Sequence, residues 1–173
     1  MWIYEKKLQY PVKIKNPNPK LAQIIISQLG GPDGELAASM RYLHQRYSMP
    51  DKKVVGILTD VGTEELAHLE MISAILHQLT RNLPEEQIKD TPFATYFVDH
   101  TLGVYPVAAS GVPFDMKYVG IKGDVLADLH EDLAADAAIT QMQPLSKNRR
   151  KALKYKDFSH LCKTLKNRHP AII

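Results

Sequence analysis

The chain has 173 residues, of which 45% are hydrophobic and 24% charged, with a formal net charge of +3. That size and balance suit one compact domain with a core of its own, and exclude a disordered or collagen-like chain. The lone Cys162 excludes an intrachain disulfide framework, and no apolar run approaches the roughly 18 residues of a membrane span. The opening MWIYEKKLQYP has no signal-peptide pattern, so the sequence reads as a protein made and kept inside the cell.

The charge is unevenly placed. Residues 1–136 carry 13 Lys+Arg against 18 Asp+Glu, a net of −5, while residues 137–173 carry nine against Asp157 alone, a net of +8. The modest total therefore hides an acidic body and a basic end.

Residues 1–20 read as an extended lead-in, with Trp2, Tyr4, Leu8, Tyr10 and Val12 at even positions and Pro11, Pro17 and Pro19 breaking the alternation. Helical character begins at Pro19, a residue suited to a first turn, and runs to about Tyr47. Gly30-Gly31-Pro32-Asp33-Gly34 interrupts it: either the helix ends there and restarts at Asp33, or it continues as one long helix with a kink, which is the favoured expectation. A second helix is expected from Asp51, a capping residue, to about Thr80. Its seam, Val54, Leu58, Val61, Glu65, His68, Ile72, Ile75 and Leu79, steps by four and three in the manner of a bundle. Residues 81–123 form a Pro- and Gly-rich connection, a length that suits a crossover. A third helix is predicted from Asp124 to about Gln143, with Leu126, Leu129, Leu133 and Asp136 on one stripe. A poorer fourth segment follows from about Asn148 to Arg168. The expected fold is all-α: a four-helix bundle with a long central crossover and a truncated or atypical fourth helix, occupying residues 1–173 as a single domain.

Polar residues sit where this pattern demands core. Glu65 and His68 take consecutive seam positions between Val61 and Ile72. An unpaired carboxylate facing a core is costly, so such groups pair or bind a metal. Glu-x-x-His places both on one helix face, which fits either a buried ion pair or two ligands of one cation. The neighbouring Glu64 and Glu70 read as solvated surface. Asp136 continues the leucine stripe of the third helix, either as a core carboxylate or at a frayed end; Asp128, Glu131 and Asp132 lie off that stripe and read as solvent-facing. Glu35 falls in the sector of Leu21, Ile24, Tyr42 and Leu43 on a continuous helix, or else serves the dipole of a first turn after Gly34. Three such carboxylates and one imidazole on three helices fit a dinuclear iron or manganese centre, in which one further His is owed by the fourth helix.

GGPDGELAASMRYLHQRY, VVGILTDVGTEELAHLEMI, AASGVPF and KGDVLADLHEDLAAD resemble, in order and spacing, the manganese catalases, and most closely their spore-coat members. The resemblance covers roughly residues 1–136. It implies a ferritin-like four-helix bundle holding two manganese ions, disproportionation of hydrogen peroxide to water and oxygen, a homo-oligomer larger than a dimer, and a place in the spore coat with other coat proteins as possible partners. It matches Glu35 to the first-helix carboxylate ligand and Glu65 and His68 to the second-helix pair. Asp136 stands where the family has Glu, which withdraws the carboxylate by about 1.5 Å, one C–C bond. Past Asp136 the likeness stops. His169 is the preferred candidate for the missing ligand, on the face of Phe158, Cys162 and Leu165; His160 is the other. A reading-frame change at the gene's end would account for the simultaneous loss of pattern and jump in charge.

Two functions compete: a dimanganese catalase, and a coat component that keeps the bundle with weak or no turnover. Iron in place of manganese, as in a diiron oxidase or an iron store, is the less favoured alternative, because the ligand types accept both while the sequence likeness does not point there. The basic tail holds only Tyr155 and Phe158 as aromatic residues, so a nucleic-acid partner is not expected; nor is a membrane, for want of a long apolar run.

Overall fold

The dominant element is a 29-residue helix whose seam is apolar at both ends. In the computed structural model, which describes residue 5 and residues 7–87 and 106–142, the side chains of 85 and 136–142 excepted, this helix is α4 (Lys52–Thr80). Asp51 caps it as expected, its carboxylate accepting from the Lys53 amide at 2.7 Å. Asn82, in the left-handed region at φ 57°, turns the chain away just beyond its end.

The preceding helical stretch is three pieces rather than one kinked helix. α1 (Pro19–Ile25), α2 (Ser27–Gly30) and α3 (Glu35–Gln45) are separated at Ile26 and at Gly31–Gly34. Asn18 caps α1, with Pro19 in its first turn. Two causes end α2. Gly31 turns to extended backbone, and the crossover strand passes directly over Gly30, where a Cβ would lie 2.0 Å from the Pro106 carbonyl carbon. Only glycine admits that approach. Ser27 holds the same strand by accepting from the Ala109 amide at 2.7 Å.

α5 (Val125–Met142) follows a loop fixed by its own aspartates. Asp124 accepts from the Ala127 amide, and Asp128 reaches back to the amides of Lys122 and Gly123, at 2.7 and 3.1 Å. Gly123, at φ 74°, makes that reversal possible. Asp128 is buried by that reversal and Asp132, one turn on, is buried as well, both at 0% exposure, where the leucine stripe placed them in solvent. α5 is therefore enclosed on a wider arc than Leu129 and Leu133 mark. Glu131 is exposed as expected. The helix runs on past Asp136, which removes fraying before that residue as an account of it. The fourth helical segment, 148–168, lies outside the described residues, as do Trp2 and Tyr4 of the lead-in. No described residue of the remaining lead-in forms a strand.

α3 and α4 are antiparallel neighbours. Arg46 Nη1 donates to Thr59 Oγ1 at 3.3 Å, and Leu43 packs on Gly62. That register brings Glu35, at the far end of α3, level with the His68 turn. The core forms two clusters along α4. One joins Ala22, Ile26, Leu29, Leu76, Leu79 and Val107; the other joins Ala38, Tyr42, Met49, Val54, Leu58 and Leu129. Leu69, Ile72 and Ile75 pack against the first and Val61 against the second, so on α4 only residues between 61 and 69 lie between the clusters.

A Cβ at Gly62 would meet Leu43 Cγ at 2.8 Å and the Leu43 backbone nitrogen at 3.2 Å. Gly62→Val is expected to push α3 from α4 and to lower stability by about 1–3 kcal/mol, the cost typical of overpacking. Urea denaturation of the metal-free protein measures this; an unchanged midpoint would contradict the close approach.

Candidate metal centre

Between the two apolar clusters lies a small acidic site. Glu35 is the first residue of α3, placed there by the extended Gly34 that precedes the helix. Glu65 and His68 are one turn apart on α4, on the same face. Glu35 and Glu65 are 3% and 5% exposed, and His68 is half-buried. His68 Nδ1 donates to Glu65 Oε2 at 2.6 Å and lies 3.8 Å from Glu35 Oε2. One ligand atom from each residue can be chosen so that all three lie within 4.8 Å of one another.

Two carboxylates and an imidazole converging from two helices are a donor set suited to a hard or borderline divalent cation. The two negative charges offset the ion, and burial limits competing water. The residues present therefore fit the metal that the sequence implies, at least for one ion. Without it, the proton on His68 offsets one of the two carboxylate charges. Burial alone would push this imidazole down; the hydrogen bonds to Glu35 and Glu65, with their charges, override it and raise it from 6.5 to about 9.

Of the five residues expected to ligate, the structure brings Glu35, Glu65 and His68 together. Asp136 sits in α5, one turn beyond Asp132, with its side chain outside the described residues. His169 and its alternative His160 also lie outside them. The sequence reading missed Glu64. Expected in solvent, this side chain is 35% exposed, and its Oε1 lies 3.6 Å from His68 Nε2. The i, i+4 spacing of Glu64 and His68 carried that signal. Glu70, also expected in solvent, is half-buried.

A group whose pKa is raised by folding contributes its full stabilisation while it is protonated in both the folded and the unfolded state. The contribution of His68 is therefore full below about pH 6.5 and is lost as pH rises through about 9. The urea midpoint of the metal-free protein is expected to fall across that interval, and His68→Gln to flatten the fall. Equal slopes in the two proteins would contradict the pairing.

Comparison with known proteins places the chain in a family. A family model described as manganese containing catalase matches residues 1–145. Protein CotJC of Bacillus subtilis is 53% identical over 136 residues, covering 79% of this chain and 71% of its own length. A probable manganese catalase of Clostridium acetobutylicum is 33% identical over 138 residues, and the manganese catalase of B. subtilis 31% over 150. The chain spans 61% and 55% of those two relatives. Among solved structures, KatB, a manganese catalase from Anabaena PCC7120, superposes with a TM-score of 0.80 at 26% identity, over 95% of this chain and 80% of its own. The described residues are helical apart from loops and a single Val107–Pro113 bridge, and the fold is that of the ferritin-like four-helix bundle. The extent of the family match and the shared fold make this chain a member of the manganese-containing catalase family.

Proposed function

We propose that the chain binds manganese between α3 and α4 and disproportionates hydrogen peroxide to water and oxygen. The observation that carries this reading is the buried convergence of Glu35, Glu65 and His68 in a member of this family. Glu35 and Glu65 hold the cation through their carboxylates. His68 offers Nδ1 once its proton has left, so metal uptake releases that proton and strengthens as pH rises towards 9. Bound manganese supplies the redox capacity that none of these side chains has. The apolar clusters on either side keep the carboxylates from turning away into solvent.

A full pair of ions calls for more ligands than these three. We assign Asp136 and His169 to that second share, with His160 as the alternative; manganese is preferred to iron on family grounds. Residues 1–173 are taken as one domain whose segment 137–173 is divergent. Assembly as a homo-oligomer and a place in the spore coat, with coat proteins as neighbours, belong to the same proposal and rest on resemblance. Among the described residues, no helix is long and apolar enough to cross a membrane.

A second reading keeps the bundle but not turnover, with one or both metal sites weakened. It is favoured by the basic end of the chain, where the further histidine ligand would have to be found and where the family match stops, at residue 145.

Expression in manganese-supplemented medium, with metal content and oxygen evolution from peroxide measured on the same sample, separates the two. Two manganese per chain with oxygen release is the expected outcome for the catalase. One manganese or none, without oxygen, supports the second reading and contradicts the catalase. Glu65→Ala is expected to abolish manganese uptake; unchanged content would remove the proposed site.

A further inference from the structure

The motif that supplies Glu65 and His68 is Glu64-Glu65-Leu66-Ala67-His68, with two glutamates in succession rather than one. On a helix these two side chains reach His68 from different sides. Glu65, three residues before it, meets Nδ1 at 2.6 Å; Glu64, four residues before it, lies 3.6 Å from Nε2. The imidazole thus has a carboxylate near each ring nitrogen, hydrogen-bonded at Nδ1 and just beyond hydrogen-bond distance at Nε2.

The chemistry of the two nitrogens differs once a cation is bound. Nδ1 faces Glu35 and Glu65, so its lone pair is the one available to an ion they share. A neutral imidazole that ligates through Nδ1 carries its proton on Nε2. That N–H points away from the carboxylate pair, towards Glu64. A carboxylate on the outer N–H of a ligating histidine fixes the tautomer, holds the ring plane and makes the inner nitrogen a better donor.

We propose that Glu64 is a positioning residue for His68, accepting the Nε2 proton so that Nδ1 is presented to the metal. This rests on the reading of Glu35, Glu65 and His68 as ligands. Glu64 does not enter the ligand set itself. Its side chain is 35% exposed against 6% for Glu65, and it lies on the outer side of the ring. A shift of a few tenths of an ångström, within the rotation open to a half-buried ring, brings 3.6 Å to a hydrogen bond.

The test is binding of Mn(II) alone to the full chain, followed by loss of the free-ion signal in electron paramagnetic resonance. Glu64→Ala is expected to weaken binding by about 10–100-fold, the range typical for loss of such a partner. Glu64→Gln keeps an acceptor at that place and is expected to restore most of the loss. Because Glu64 acts through the ring, the double variant Glu64→Ala/His68→Ala is expected to bind no more weakly than His68→Ala. A general effect of surface charge would instead add to the His68→Ala loss in full and would leave Glu64→Gln as weak as Glu64→Ala; either result overturns the proposal. So does wild-type affinity in Glu64→Ala where Glu65→Ala has lost binding, with the ligand assignment intact. Equal binding by the wild type and Glu65→Ala removes the ligand assignment and this inference together.

Discussion

Two buried carboxylates, Glu35 and Glu65, face a common point on the α3–α4 seam. Their charges cannot share that space without a cation, because burial removes the water that would screen them. The cation is a proton when His68 is protonated, and a metal when one is bound. An imidazolium offsets one of the two negative charges and a divalent metal offsets both, so either one draws the two helices together at this level. The energetic logic of the surrounding bundle follows from that requirement.

The apolar clusters flank this point rather than include it. On α4 the seam is hydrophobic from Val54 to Leu58 and again from Leu76 to Leu79, with Glu65 and His68 between. On the opposite side, Leu29 belongs to one cluster and Ala38 to the other, with Glu35 between. The two cores therefore act as clamps above and below a polar layer. Gly62 lets α3 approach α4 closely enough for a carboxylate from each helix to reach one ion. Gly30 does comparable work for the crossover strand, which passes over the end of α2 just before the turn that delivers Glu35.

Much of this was legible in the residues. The α4 seam gave the helix, its cap at Asp51 and the anomaly of Glu65 and His68, because a long regular repeat makes any polar intruder visible. Glu35 could be read either as a core-sector residue on a continuous helix or as a first-turn residue after Gly34; the chain breaks at Gly31–Gly34 and Glu35 opens a new helix, so the local position follows the second reading while the side chain is buried as in the first. Asp128 and Asp132 were misplaced because the count followed leucines, and burial on α5 also depends on a loop that the aspartates themselves fold back. Glu64 was assigned to solvent for a similar reason: a seam defines one face of a helix, while a histidine on that seam has two nitrogens and reaches beyond it.

The account stands on the position of one ion. Crystals of the protein loaded with Mn(II), measured on both sides of the manganese absorption edge, test it most directly. An anomalous peak enclosed by Glu35, Glu65 and His68, lost in Glu65→Ala, is the predicted result. A manganese peak elsewhere on the chain, with these three side chains still paired only with one another, would contradict it.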